Sequence, residues 1–335
     1  MKKAIFLNET PYRIDWVYSP DVRERIRNYA DLGDTVYGKA DVLANPEKFR
    51  DTEMIFSTWG MSVMTAEEID ACFPKLECVF YAAGTVQKFA RPFIEKGVKV
   101  FSAWAANAVP VVEYAVAQII LANKGFFAHS YFMKNQEIDT GKKLKKLYPG
   151  NYNENVGLLG CGMIGSMVAE RLKAYKLNVL AFDPFMSDEK AAALGVKKAS
   201  LEEIFSTCRV VSNHLANNPQ TVGMINYSHF SSMIPYSTFI NTGRGAQLVE
   251  EDLVRVLGER PDVTAVLDVT DPKEPPEAGH PFYSLPNCVL TPHIAGSLGN
   301  EVVRMSEYMA EEFDSYMKGE PTRYEVSLKM LETMA

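Results

Sequence analysis

The sequence has few cysteines, and their positions exclude several kinds of site. The five are Cys72, Cys78, Cys161, Cys208 and Cys288. They form no CxxC pair and no Cys/His pattern with the spacing of metal ligands. We therefore expect reduced thiols in a cytoplasmic protein, and no metal site.

The chain also lacks an excess of positive charge and a long uninterrupted apolar run. It has 35 Lys and Arg against 42 Asp and Glu, a net charge of -7, whereas nucleic-acid binders concentrate positive charge on one face. The longest apolar stretch, residues 109–127, is interrupted by polar side chains such as Glu113 and Asn123, so it predicts a buried helix and not a membrane span. We expect no nucleic-acid partner and no membrane partner.

What the sequence does contain is the pattern of an α/β protein. Its 335 residues predict two domains of ordinary size. Short β-rich apolar runs alternate with helical patterns, which indicates parallel sheets. Strands are predicted at residues 4–7, 54–58, 78–81 and 98–101, and again at 156–159, 179–182, 210–212, 239–241, 265–269 and 289–291.

Two kinds of local signal lie between these runs. Ser19 before Pro20, and Thr65 three residues before Glu68, mark the starts of helices. In residues 126–155 the apolar side chains recur with neither helical nor strand spacing for any length. We therefore expect an arm or long loop there. Its apolar side chains predict a homodimer, because a monomer would struggle to bury them.

A glycine-rich segment predicts a dinucleotide site. In VGLLGCGMIG, the G-x-G-x-x-G pattern directly follows an apolar strand and opens a helix. Asp183 ends the next strand, 23 residues after Gly160, where a carboxylate would accept from ribose hydroxyls. Since it would repel a ribose phosphate and no arginine follows in DPFMSDEK, NAD is expected rather than NADP. The predicted loop contacts are Gly160, Gly162, Met163, Ile164 and Gly165.

Polar residues that follow the later strands predict a reaction site. Arg244, Glu274 and His293 each come after a strand of the second set, and ligands bind outside the carboxyl ends of such strands. A guanidinium can hold a carboxylate through two hydrogen bonds, a histidine can donate the proton that accompanies a hydride, and a glutamate can keep it charged and fix its tautomer. Each alone could be a surface or turn residue, but their joint placement favours a site. His214, Thr242 and Asp268 also follow strands and are expected beside the cofactor.

Together these motifs resemble the D-2-hydroxyacid dehydrogenase family. The resemblance covers nearly the whole chain, through the glycine loop with Asp183, NTGRG with Arg244, LDVTDP, and TPHIAG with His293. It implies a Rossmann cofactor domain, residues 106–294, inserted into a flavodoxin-like substrate domain, residues 1–105 and 295–335. It also implies the short form without a regulatory domain, and hydride transfer between NAD(H) and a small 2-hydroxy or 2-oxo carboxylate.

The chain departs from the family pattern at two places. The glutamate expected after DVTDP falls one residue late, behind Lys273, so Glu274 is the expected partner of His293 and Glu277 is the alternative. The family's glycine turn for the substrate reads YAAGTVQ, which makes Ala83, Gly84 and Thr85 the expected substrate contacts together with Arg244. Trp59, Tyr81 and Trp104 follow strands of the first domain and either line the pocket or pack in the core.

Two other functions remain open. The family also contains non-catalytic NAD-sensing corepressors. The excess of acidic over basic residues argues against that function here. Formate oxidation on the same fold is the second, and Glu274 in place of a glutamine argues against it.

Overall fold

The structure is a computed structural model and describes residues 1–332. In this range the strands are β1 (Lys2–Leu7), β2 (Ala30–Tyr37), β3 (Met54–Ser57), β4 (Cys78–Tyr81), β5 (Lys99–Ser102), β6 (Tyr152–Leu159), β7 (Lys176–Phe182), β8 (Lys197–Lys198), β9 (Val210–Asn213), β10 (Thr238–Asn241), β11 (Thr264–Leu267) and β12 (Cys288–Leu290).

The α-helices alternate with these strands along most of the chain. They are α1 (Pro11–Val17), α2 (Pro20–Arg27), α3 (Lys39–Ala44), α4 (Ala66–Cys72), α5 (Ala90–Glu95), α6 (Trp104–Asn123), α7 (Phe126–Lys134), α8 (Ile138–Leu144), α9 (Met163–Leu172), α10 (Asp188–Leu194), α11 (Leu201–Thr207), α12 (Tyr227–Ser231), α13 (Glu250–Glu259), α14 (Val303–Lys318) and α15 (Leu328–Leu331).

The predicted caps start their helices. Ser19 Oγ accepts the Val22 N–H at 3.4 Å at the start of α2. Thr65 and Glu68 accept each other's backbone N–H groups, at 3.3 and 2.8 Å, before α4. Each cap satisfies a backbone donor that the first helical turn leaves free.

The chain divides into two compact units: unit 1, residues 1–108 with the chain from Ser297 onward, and unit 2, residues 109–296. Unit 1 has a parallel five-stranded sheet in the order β2-β1-β3-β4-β5, the flavodoxin-like order. Phe56, Phe80 and Phe101 lie side by side on β3, β4 and β5, with ring centroids 5.2 and 4.8 Å apart. Phe313 of α14 packs edge-on against the first two, so the returning helix completes this core.

Unit 2 has a parallel seven-stranded sheet in the order β12-β11-β10-β9-β6-β7-β8. The strand order reverses at β6, whose neighbours are β7 and β9. Open α/β sheets bind ligands outside the carboxyl ends of the strands at such a reversal. The two sheets together confirm the predicted fold class.

The structure corrects the expectation of an arm or long loop at residues 126–155. Two helices, α7 and α8, occupy much of that segment. No residue of α7 is buried. Its apolar side chains therefore do not recur with the helical spacing that a buried face produces, and the sequence could not reveal the helix. Strand β2 was not predicted either, because its sequence, ADLGDTVY, is largely polar. Polar side chains are common in a strand at the edge of a sheet.

Within residues 1–332 one helix, α6, has the length and hydropathy of a membrane span. Its most apolar window is 44% buried inside the protein. Val112, Ala115 and Ile119 of this helix pack into the core of unit 2. A core helix passes the same test of length and composition, so α6 is only weak evidence for a membrane.

Candidate active site

Several of the residues predicted from the sequence directly follow strand ends that are paired side by side across the sheet of unit 2. Strand pairing joins Phe182, Leu159, Asn213, Asn241, Leu267 and Leu290 side by side. The next residue along each strand is, in the same order, Asp183, Gly160, His214, Thr242, Asp268 and Thr291. Parallel strands in register therefore bring distant parts of the sequence to a single edge.

The glycine loop after β6 has the form that a pyrophosphate needs. Gly160 has a φ of +84°, and a Cβ on Gly165 would lie 1.9 Å from the Gly160 carbonyl oxygen, so neither position accepts a side chain without rearrangement. A Cβ on Gly162 would meet nothing within 4 Å. The middle glycine thus leaves open space beside the first turn of α9, where helix N–H groups can bind phosphate.

Asp183 ties this loop to β7. Its Oδ2 accepts the Cys161 N–H at 2.8 Å and its Oδ1 accepts the Phe185 N–H at 2.9 Å. Lys190 of α10 donates from Nζ to the Cys161 carbonyl at 2.7 Å. This cation was not predicted from the sequence, although Lys190 lies in the same DPFMSDEK segment as Asp183.

Two buried polar atoms at this edge have no hydrogen-bond partner within residues 1–332. They are Nδ1 of His214 and Oγ1 of Thr242, which follow the paired strand ends Asn213 and Asn241. His214 Nε2 lies 3.0 Å from Ser212 Oγ, and burial lowers the pKa of His214 to about 4. Unpaired buried polar atoms are rare in folded proteins, so these two fit a site that a polar cofactor completes.

Asp268 organises the loop that carries His293. The carboxylate is buried; its Oδ1 accepts the Thr291 hydroxyl at 2.6 Å and the Ile294 N–H at 2.8 Å, and its Oδ2 accepts the Ala295 N–H at 2.8 Å. His293 has a φ of +55°, which strains a residue other than glycine. The observed role of Asp268 is to hold that strained turn; its predicted cofactor contact remains a prediction.

The structure pairs His293 with Glu274. His293 Nδ1 and Glu274 Oε1 form a short hydrogen bond, while Glu277 forms an ion pair with Lys273. Thr270 donates its hydroxyl to the Lys273 carbonyl at 2.7 Å, which curls the segment so that the next residue reaches the histidine. Of the two glutamates left open by the sequence, Glu274 is the one beside His293.

Arg244 stands in a turn built on buried amides. Within residues 1–332 the only hydrogen bond of its guanidinium is from Nη1 to the Gly243 carbonyl, at 2.8 Å. Its backbone N–H donates to Gln247 Oε1 at 3.1 Å, and its carbonyl accepts from Asn241 Nδ2 at 3.2 Å. The guanidinium therefore keeps most of its donors for an anion.

The turn Ala83–Gly84–Thr85 of unit 1 offers backbone donors. Ser102 Oγ lies 2.9 Å from the Ala83 carbonyl and 2.5 Å from that of Gly84, which turns both carbonyls toward β5. Within residues 1–332 the N–H groups of Gly84 and Thr85 have no hydrogen-bond partner. Consecutive free N–H groups in a turn can bind an anion.

The predicted aromatic residues of unit 1 have different surroundings. Tyr81 is buried and packs on Phe89 with centroids 4.8 Å apart, and Trp104 packs edge-on against Tyr324. Trp59 is only partly buried and lies against Trp16 of α1.

The model of a known protein family matches residues 116–295, more than half of the chain, under the description "D-isomer specific 2-hydroxyacid dehydrogenase, NAD binding domain". The chain belongs to this family. NAD is accordingly the cofactor of unit 2, and the resemblance seen in the sequence is confirmed.

Two of the relatives that match are longer proteins. A D-3-phosphoglycerate dehydrogenase of Archaeoglobus fulgidus is 31% identical over 71% of this chain and 44% of its own length. The corresponding enzyme of Synechocystis is 28% identical over 70% of this chain and 41% of its own length. The chain thus spans less than half the length of these two relatives.

Solved structures show the same fold. D-mandelate dehydrogenase of Rhodotorula graminis has a TM-score of 0.79 at 19% identity and covers 98% of each chain. The NAD-complexed D-isomer specific 2-hydroxyacid dehydrogenase of Lactobacillus delbrueckii has a TM-score of 0.76 at 19% identity, covering 97% of this chain and 100% of that one. At these identities the similarity concerns the fold alone.

Proposed function

We propose that this protein is an oxidoreductase that transfers a hydride between NAD(H) and a small 2-hydroxy or 2-oxo carboxylate. The observation that carries the proposal is the Glu274–His293 hydrogen bond. It lies at the same sheet edge as the glycine loop and the guanidinium of Arg244, which forms no ion pair within residues 1–332. An acid/base group, an anion anchor and a dinucleotide loop are the parts that this chemistry requires.

Each group of the chain has one role in this proposal. NAD, when bound at the glycine loop, supplies or accepts the hydride. His293 donates its Nε2 proton to the carbonyl oxygen of a 2-oxo acid or removes it from the hydroxyl of a 2-hydroxy acid, because Nδ1 is held by Glu274. Arg244 binds the carboxylate and the carbonyl oxygen. Unit 2 holds NAD, and the free N–H groups of Gly84 and Thr85 are the predicted substrate contacts within unit 1.

The test is an assay of 2-oxo acids with NADH. We expect turnover of at least one acid among glyoxylate, hydroxypyruvate, pyruvate and phenylpyruvate. His293→Gln should lower kcat by about 10²- to 10⁴-fold, the usual contribution of a positioned acid. Arg244→Lys should raise KM and lower kcat, because a point charge cannot form the bidentate contact.

The matched control uses the neighbouring glutamate. Glu274→Gln should lower kcat, since the amide cannot hold a charged imidazole as a carboxylate does, whereas Glu277→Gln removes only the contact with Lys273 and should change little. Full activity of His293→Gln would refute the proposal. Binding of NADH without turnover of any acid would favour the NAD-sensing alternative.

We further propose that the protein is a cytoplasmic homodimer. Several apolar side chains of unit 2 are exposed, among them Leu121, Phe126, Tyr131 and Met133. Leu121 also lines a groove with Val116, Ile120 and Tyr175. An exposed apolar surface of this kind is typical of an interface, and a second copy would cover it.

Light scattering at micromolar concentration tests this arrangement. The wild type should have the mass of two chains, and Leu121→Glu should shift the mass toward one. Tyr152→Ala, a change at an exposed tyrosine that lies on β6, is the control and should leave the dimer intact. A wild-type mass of one chain would remove the proposal.

A further inference from the structure

The exposed Trp16 of unit 1 lies against Trp59, which is partly buried and packs on the core of that unit. The ring centroids of Trp16 and Trp59 are 6.0 Å apart, and the ring planes are inclined by 33°. Within residues 1–332 neither ring stacks on any other aromatic ring. Trp16 is 42% exposed, and Tyr12, one helical turn earlier on the same face of α1, is 64% exposed. We call Tyr12, Trp16 and Trp59 the aromatic patch.

The patch lies at the carboxyl edge of the unit 1 sheet. Helix α1 follows β1, and Trp59 follows β3, the neighbour of β1 in the sheet. The Asn8 amide donates to the Trp59 carbonyl at 3.1 Å, and the Glu9 N–H donates to the Gly60 carbonyl at 2.8 Å. These bonds join the segment leading into α1 to the residues around Trp59.

The same edge carries the turn with free N–H groups. Thr58, directly before Trp59, donates its hydroxyl to the Ala82 carbonyl at 2.7 Å, and the Ala82 N–H donates to the Ser57 carbonyl at 2.8 Å. Trp59 directly follows Thr58, and Ala83 directly follows Ala82, so both come immediately after residues that these hydrogen bonds join. Gly84 and Thr85, the predicted substrate contacts, follow immediately.

A second observation places the end of α1 close to the ends of β3 and β4. Tyr18 directly follows α1, and its hydroxyl lies 3.0 Å from the Ser57 carbonyl oxygen and 3.2 Å from the Phe80 carbonyl oxygen. The patch and the Ala83–Thr85 turn therefore belong to the same edge of unit 1.

We propose that Trp16 and Trp59 bind the side chain of the substrate, and that this side chain is aromatic. This inference rests on the proposed function and narrows it to 2-oxo acids with an aryl group, such as phenylpyruvate. In this proposal the carboxylate of the acid binds the N–H groups of Gly84 and Thr85, and its ring extends along the same sheet edge toward Trp59. Aromatic side chains favour offset or edge-on contact with other rings, and within residues 1–332 Trp16 and Trp59 have no ring contact except with each other.

The test compares phenylpyruvate with pyruvate, using NADH and the full chain. The wild type should have a kcat/KM for phenylpyruvate at least about tenfold above that for pyruvate, as expected for a fitting apolar group in a hydrophobic site. Trp16→Ala and Trp59→Ala should each remove most of that preference, by lowering kcat/KM for phenylpyruvate more than kcat/KM for pyruvate. Tyr152→Ala, an exposed tyrosine of unit 2, should keep the preference.

A binding measurement separates this inference from the proposed function. Phenylpyruvate should bind the protein in the presence of NAD by isothermal titration calorimetry, and Trp16→Ala should weaken that binding about tenfold, whether or not turnover occurs. Pyruvate reduction without a preference for phenylpyruvate, or an equal loss on both acids in the tryptophan variants, would overturn the inference and leave the proposed function intact. If no acid is reduced, the proposed function fails, and the calorimetry alone decides on the patch.

Discussion

Gln247 holds the backbone of Arg244 from inside the protein. Its Oε1 accepts the Arg244 N–H at 3.1 Å and an N–H of the Asn213 amide at 2.7 Å, and its Nε2 donates to the Leu215 carbonyl at 2.8 Å. Asn213 donates as well to Asn241 Oδ1 at 2.9 Å. All three amides are fully buried, so the turn that presents the guanidinium is fixed by a network with no access to water.

Gln247→Leu should damage both the fold and the substrate anchor. It leaves the Arg244 N–H and the Leu215 carbonyl without their partner, and each unsatisfied buried group costs about 1–3 kcal/mol. We expect a lower Tm, and a KM for the 2-oxo acid raised more than the KM for NADH, because Arg244 faces the acid in the proposed function. Steady-state kinetics and calorimetry give both quantities.

Gln220→Leu is the matched control for Gln247→Leu. Gln220 is exposed, and it is its backbone N–H that donates to Asn218, so this variant should behave as the wild type does. Equal increases in the two KM values for Gln247→Leu would mean that the network holds the whole sheet edge and not Arg244 in particular.

Asp183 and Lys190 together should set the choice between NADH and NADPH. The wild type should prefer NADH, because the carboxylate stands where a ribose phosphate would need a cation. Asp183→Ala should narrow the preference by about 10- to 100-fold, since Lys190 could then form a charge-assisted hydrogen bond with the phosphate. The ratio of kcat/KM for the two cofactors measures this and cancels any general loss of activity.

The Lys190→Met change provides the control for the cofactor experiment. Added to Asp183→Ala it should abolish the gain with NADPH, and alone it should leave the preference for NADH in place. A wild type that used NADPH more efficiently than NADH would show that Asp183 has another role. If the double variant kept the gain, the phosphate would be bound without Lys190.

The sheet edge could be predicted from the sequence because each strand is a short apolar run with a polar residue behind it. Parallel pairing then brings Asp183, Gly160 and His214 to one edge without knowledge of any side-chain contact. The partner of His293 was predicted with an alternative. The one-residue shift behind LDVTDP made Glu274 the expected partner and left Glu277 open, and the hydrogen bond from His293 to Glu274 distinguishes the two, because Glu277 pairs with Lys273.

Other parts of the site left no pattern in the sequence. Gln247 is fully buried, whereas glutamine is ordinarily a surface residue, and only the positions of Asn213 and Arg244 around it explain its burial. Trp16 lies on the exposed side of a seven-residue helix, where the spacing of apolar residues does not mark it as functional. The spacing of Tyr12 and Trp16, four residues apart, was the available signal for the aromatic patch.

Asp268→Asn separates the two roles available to that residue. One oxygen becomes an amide whose N–H groups cannot accept from the loop, so a hydrogen bond to Ile294 or Ala295 is lost. We expect a Tm lower by roughly 3–10 °C and a reduced kcat with little change in the KM for NADH. A raised KM for NADH at unchanged Tm would instead support the cofactor contact predicted from the sequence. Asp139→Asn, at an exposed aspartate of α8, is the control.

Glu250 should make the stability of unit 2 depend on pH. Burial raises the pKa of Glu250 from 4.5 to about 7, and the nearby Asp271 carboxylate adds to the rise. The Asp271 N–H, which donates to Glu250 Oε1 at 2.9 Å, has the opposite effect and lowers the pKa. In the window between these two values the folded state binds more protons than the unfolded state, so stability falls as the pH rises. The contribution of Glu250 is therefore least favourable above pH 7.

Glu250→Gln should remove this dependence while keeping the hydrogen bond to Asp271, because a glutamine Oε1 accepts the same N–H and cannot ionise. At pH 8 the variant should unfold at a Tm higher than that of the wild type by roughly 2–4 °C, and at pH 4.5 the two should differ little, since the wild-type carboxyl is then protonated in the folded state. Calorimetry at both values measures the difference. Glu251→Gln, at the exposed neighbour on α13, should show no such change between the two pH values. A Tm of Glu250→Gln equal to that of the wild type at pH 8 would mean that Glu250 ionises in the folded protein without penalty.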